Sequence, residues 1–195
     1  MNKAVYAPAP LRITVYSDGS RTSQGAGYWF VVYYGSIPIT QGYRSAGSRT
    51  EVYDAEIMGA AEGLRAAINL SCASYSTGLV ILLDNLAAAS LLADGRPMPH
   101  RRELTDLFQN LTTQWEYTPY ILSTPRTPVE VRWVPGHSGI VGNETADELA
   151  KKGAALDGSY IPPPPHPTSD VKRSNRRAQQ HAQRTPETHP SHTRT

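Results

Sequence analysis

The spacing of hydrophobic positions changes several times along this chain, and each change marks an element. From Leu11 to Ser17 apolar and polar residues alternate, as in a half-buried strand, and Asp18-Gly19 is expected to end it as a turn. A polar Gly/Ser loop follows, and then Gly27–Tyr34 (GYWFVVYY), the strongest strand signal in the chain. Gly35-Ser36 predicts a two-residue hairpin into a third strand, about Ile37–Gln41 with room to extend to Ser45. Over residues 51–70 the period lengthens. Val52, Ala55, Met58, Ala61, Leu64, Ala67 and Ile68 follow helical spacing, with Thr50 as the expected N-cap. Gly78–Leu83 is a short continuous apolar run, suited to a strand buried on both faces. Asn85–Ala93 reads as a short helix stopped by Asp94-Gly95, and Pro97 and Pro99 break the chain. Leu104, Leu107, Phe108, Leu111 and Trp115 place an apolar stripe on a helix from about Arg101 to Glu116. A loop containing Pro119, Pro125 and Pro128 leads to a strand at Val129–Val134. Pro135-Gly136 then opens a loop before a last helix, from about Ile140 to Lys152.

The order β-β-β-α-β-α-α-β-α predicts an α/β fold with one mixed five-stranded sheet and helices on both faces. Residues 1–9 are expected to be a flexible lead-in, residues 10–158 the folded domain, and residues 159–195 a disordered tail. The tail holds Pro162–Pro165, three further prolines and polar residues, too little apolar surface to fold. Charge divides at the same place. From Ile161 onward six basic residues face two acids, whereas the rest of the chain carries 13 basic and 15 acidic side chains. The tail is cationic and the body is not, so the body can hold nucleic acid only through local patches or metal ions. Cys72 is the only cysteine, which excludes an intrachain disulfide framework and a cysteine-based zinc site. The N-terminal residues have no signal-peptide layout, and apolar runs such as Leu79–Leu83 are too short to cross a bilayer. The expectation is a soluble intracellular protein, with nucleus and cytoplasm left open.

Four acids are candidates for chemistry: Asp18 after the first strand, Glu56 on the first helix, Asp84 after the fourth strand and Asp147 on the last helix. Each has a plain structural reading. Asp18 suits a turn, Asp84 suits a helix N-cap, and Glu56 and Asp147 suit solvated helix faces. His137 could merely hydrogen-bond within its loop, and His100 reads as a surface residue. Joint geometry weighs against these readings. If the first and fourth strands are parallel neighbours, Asp18 and Asp84 lie side by side at one sheet edge, where functional groups of open α/β sheets gather. Clustered carboxylates repel and resist burial unless cations neutralise them. Oxygen ligands without cysteine favour Mg²⁺ or Mn²⁺ over zinc, and an ion pair about 4 Å apart is the device for in-line phosphoryl displacement.

YSDGS at Tyr16–Ser20, DAEIMGAAEGL at Asp54–Leu64, LLDN at Leu82–Asn85 and VPGHSGIVGNETADELAKKGA at Val134–Ala154 resemble a type 1 ribonuclease H domain. The kind attached to reverse transcriptases of retrotransposons is the nearest in flavour. The resemblance covers roughly Leu11–Ala155, and its last motif is the most specific. Exonucleases of the DEDDh kind share the fold class but place an acid two residues after the first aspartate, where this chain has Ser20.

The resemblance implies hydrolysis of the RNA strand of an RNA–DNA hybrid, with 5′-phosphate products and two Mg²⁺ ions for which Mn²⁺ can substitute. By the same resemblance Asp18 bridges both ions, Glu56 and Asp84 complete the ion at the leaving oxygen, and Asp147 holds the ion that activates water. His137 assists proton movement or product departure, and Asn143 supports the site or caps the helix. The implied partners are the hybrid and a reverse transcriptase, the chain itself being a monomer that touches no membrane. Cellular members carry small polar or amide residues before the helix glutamate, where this chain has Glu51, Val52, Tyr53 and Asp54. The basic insertion that grips hybrid in some members is missing, and Arg101-Arg102 is the nearest substitute. The alternative is a catalytically silent module of the same fold that binds nucleic acid or a protein.

Overall fold

The structure is a computed structural model and describes residues 12–96, 99–119 and 126–136. All of these lie in the larger of two units into which the chain divides, Met1–Pro163 and Pro164–Thr195. The lead-in and the basic tail expected from the sequence lie outside the described residues.

Three antiparallel strands open the fold: β1 (Arg12–Arg21), β2 (Ala26–Tyr34) and β3 (Ile37–Gly47). The β2–β3 hairpin turns at Gly35-Ser36, where Gly35 has φ 60°, a conformation open to glycine at little steric cost. Helix α1 (Val52–Ile68) then crosses to β4 (Gly78–Leu83). Helices α2 (Leu86–Asp94) and α3 (Arg102–Tyr117) precede β5 (Glu130–Trp133). The sheet order is β3-β2-β1-β4-β5, with β4 and β5 parallel to β1. This is the mixed five-stranded α/β sheet predicted from the sequence. The helix expected from Ile140 to Lys152, and with it the second layer of helix, lies outside the described residues.

Alternation sorts the sheet residues between two cores. Ile13 and Val15 of β1, Leu79, Ile81 and Leu83 of β4 and Val32 of β2 pack with Ile57 and Leu64 of α1 and Phe108 and Trp115 of α3. Tyr16, Trp29, Val31, Val80, Leu82 and Val134 bury the opposite face. β4 is buried along its whole length, as its unbroken apolar run predicts.

Two local expectations are corrected. Asp18-Gly19 is not a turn: β1 runs on to Arg21, with Asp18 opposite Trp29 and Gly19 opposite Tyr28. Pairing to an uninterrupted β2 overrides the turn preference of the dipeptide. Nor is Thr50 the N-cap of α1. Glu51 occupies that position with no side-chain cap bond, while the Thr50 hydroxyl donates to the Ala46 carbonyl at 2.6 Å.

Candidate metal centre

The ladder between β1 and β4 stops at Ser17 opposite Leu83, so the next residue on each strand is an aspartate. Asp18 continues along β1, while Asp84 leaves β4 just as the chain turns into α2. The cap of that helix is not Asp84 but Asn85, whose side chain accepts from the Ala88 N–H at 3.1 Å. The neighbouring asparagine thus fills the plain role that the sequence allowed Asp84.

Glu56 arrives from the first turns of α1. Close approach of that helix to β1 depends on Gly19, where a Cβ would lie 2.5 Å from the Glu56 nitrogen and 2.9 Å from the Ala55 carbonyl carbon. Any other residue at position 19 would push the helix off the strand. The Gly19 N–H also donates to the Glu56 carboxylate, so this glycine sets both the distance and the orientation of the acid. The result is that Asp18, Glu56 and Asp84 each offer a carboxylate oxygen within 4.8 Å of the other two. Asp18 and Glu56 are buried and Asp84 is half-buried.

Such an arrangement strains its own electrostatics. Burial, and then the nearby charges of Asp18 and Asp84, push the Glu56 carboxyl far above the usual carboxylate range, against a smaller opposing pull from the Gly19 N–H. Glu56 Oε2 is buried with no hydrogen-bond partner. A hard divalent cation fits both observations: it neutralises the like charges and gives the orphaned oxygen a ligand bond, and three carboxylates without sulfur are the donor set that Mg²⁺ or Mn²⁺ favours.

Of the residues singled out from the sequence, the structure therefore brings Asp18, Glu56 and Asp84 together. His137, Asn143 and Asp147 lie outside the described residues. The arginine pair offered as a nucleic-acid grip is engaged elsewhere. Arg101 forms an ion pair with Asp54 and sits 5.0 Å over the Tyr53 ring, tying the start of α3 to α1. Arg102 pairs with Asp106 one turn along its own helix, at 3.5 Å. His100 is exposed, as expected. The sequence pattern did not mark Trp133, at the end of β5, or Gly136, three residues beyond it, both of which lie against Asp84. They read there only as a strand residue and a loop opener, and contacts between residues some 50 positions apart leave no mark on local pattern.

A model of the RNase H family matches residues 10–155, more than half of the chain, and the chain belongs to that family. Ribonuclease H1 of Rattus norvegicus is 29% identical in an alignment 163 positions long that covers 73% of this chain and 50% of the rat protein, so the chain spans about half the length of this relative. Among solved structures, LC11-RNase H1, isolated from compost and crystallised in complex with an RNA/DNA hybrid, matches at a TM-score of 0.57 and 14% identity. That match covers 73% of this chain and 96% of the other. The foamy viral protease-reverse transcriptase, in complex with RNA/DNA hybrid, matches at 0.53 and 16%, over 80% of this chain and 21% of the viral one. At these identities the structural likeness shows the ribonuclease H-like fold.

Proposed function

We propose that the chain is a metal-dependent endoribonuclease that hydrolyses the RNA strand of RNA–DNA hybrids and leaves 5′-phosphate ends. The observation that carries this reading is the buried carboxylate cluster of Asp18, Glu56 and Asp84 at the ends of two parallel strands, with one Glu56 oxygen unpartnered. Membership of the RNase H family and the hybrid held by structural relatives support the substrate. Asp18, Glu56, Asp84 and Asp147 would hold two Mg²⁺ ions, with Mn²⁺ as substitute. When bound, the ions supply the positive charge that in-line phosphodiester hydrolysis needs at its attacking and departing oxygens.

The protein's own part is to hold these acids in register and to keep bulk water from Glu56 by burial. His137 moves a proton or speeds product departure. The 2′-hydroxyl is the feature that marks the strand to be cut. The likeness to a reverse transcriptase supports a retroelement origin, with a polymerase as companion.

With Arg101 and Arg102 both in local ion pairs, the grip on hybrid comes from the cationic tail or from that polymerase. A labelled hybrid incubated with the purified chain tests the activity. Cleavage of the RNA strand in Mg²⁺, none of a DNA duplex and none by Asp18→Asn is the expected result. A folded sample that leaves the hybrid intact in both Mg²⁺ and Mn²⁺ would show the silent module instead.

A further inference from the structure

Asp84 differs from the other two acids in how it is held. Asp18 is fixed within the β1–β2 ladder and Glu56 within a helix, but Asp84 stands one residue beyond the end of β4, where the ladder to β5 has also run out. Three contacts from β5 and the residues after it meet this point. The Val134 N–H donates to the Leu83 carbonyl at 2.8 Å, extending the strand pairing by one bond. The Trp133 indole N–H donates to the Asp84 carbonyl, also at 2.8 Å. Gly136 lies so close to the Asp84 carboxylate that a Cβ there would be 2.8 Å from Oδ2.

We propose that Trp133 and Gly136 are positioning residues for Asp84: the indole fixes its backbone, and the bare glycine leaves the carboxylate the one orientation that faces Asp18 and Glu56. Gly136 is not among the glycines with positive φ, so its backbone admits any side chain, and the space taken by the Asp84 carboxylate is what excludes one. An added methyl would meet the movable end of a side chain rather than backbone or core. The carboxylate would swing aside, and the loss would fall on metal binding while the fold is spared. Trp133 is 40% exposed, so its ring is only partly packed against the fold, and among the described residues its indole N–H donates to the Asp84 carbonyl. Polar groups that orient metal ligands from behind typically carry 10–100-fold in affinity when removed, about the effect expected here.

The inference rests on Asp84 being a metal ligand, and the test separates the two. Mg²⁺ is titrated into the full chain in the absence of nucleic acid, following melting temperature, because a cation that binds only the folded state raises it. Quenching of tryptophan emission by paramagnetic Mn²⁺ supplies a second readout, because Trp133 stands beside Asp84 and Trp29 opposite Asp18. Gly136→Ala should require roughly 10–100-fold more Mg²⁺ for the same rise, and correspondingly more Mn²⁺ for the same quenching, with the metal-free melting temperature within about 2 °C of wild type. Trp133→Phe, which keeps a ring but loses the donor, should shift the Mg²⁺ titration the same way by about 10-fold. Variants that titrate like wild type would overturn the positioning role alone. So would a Gly136→Ala chain that is badly destabilised without metal. Wild-type protein with no response to Mg²⁺ would overturn the ligand reading itself, and this inference with it.

Discussion

The two ends of β1 are built on opposite electrostatic plans. At its start Arg12 pairs with Glu130 of β5, and Glu130 also takes Arg132, so charges of opposite sign meet across the sheet. Nearby, Arg126 donates to the carbonyls of Trp115 and Thr118 at 2.9 and 3.1 Å and to that of Ala73 at 2.5 Å, while its guanidinium lies 4.0 Å over the Trp115 ring. At the other end of the strand, six residues on, Asp18 meets Glu56 and Asp84. One end pairs its charges with charges of opposite sign; the other collects like charges and leaves a buried carboxylate oxygen without a partner. A strand that is locally consistent at one end and frustrated at the other is the expected signature of a fold that gives up stability where it works.

The sharpest way to break this contrast is to exchange the effects. Trp115→Ala should destabilise the protein by roughly 3–5 kcal/mol in urea denaturation, with the Mg²⁺ response of the remaining folded protein unaltered, because a fully buried indole is lost along with its bond to the Thr127 carbonyl. A loss under about 1 kcal/mol would mean that the paired end is not where stability resides. Asp18→Asn should do the reverse. Hybrid cleavage should fall by at least about 100-fold, the scale attached to disturbing a metal site even indirectly, with no loss of metal-free stability. If the variant instead unfolds while retaining cleavage, the acid end is structural.

The paired end and the sheet were largely legible in the sequence, because period and turn chemistry are local. The alternation around Val15, the apolar run of β4 and the stripe ending at Trp115 each report a face that must be buried. What failed was also local. Asp18-Gly19 has turn composition, but its neighbours across the sheet hold it in β1, and Gly19 serves the approach of α1 rather than a turn. The acid cluster was legible only through topology, since Asp18 and Asp84 meet when β1 and β4 are taken as parallel neighbours. Trp133 and Gly136 escaped even that, because their partner is set by where β5 ends against β4, and nothing in a four-residue strand announces its register.

The smallest effect is the most specific to the acid end. Glu56 titrates well above its ordinary range in the folded protein, through burial first and its acidic neighbours second. In the unfolded chain it ionises near 4.5, so below that pH both states hold the proton and this contribution to stability is intact. As pH rises further the unfolded state releases its proton and the folded state keeps it, and stability falls with pH until the folded carboxyl itself ionises. Metal-free wild type should therefore lose stability between about pH 5 and 8, and Glu56→Gln should lose less. At pH 8 without metal the variant should be the more stable by roughly 1–2 kcal/mol, the usual gain on relieving such a site. Glu130 acts with the opposite sign: burial raises it, but Arg132 and Arg12 outweigh burial and hold it low, so its contribution is lost as pH falls. Both proteins share that term, and it cancels in their difference. Addition of Mg²⁺ should reverse the order, since only wild type presents the carboxylate. Parallel stability-against-pH curves for the two proteins, measured in chelator, would show that the like charges at this end of β1 exert no strain.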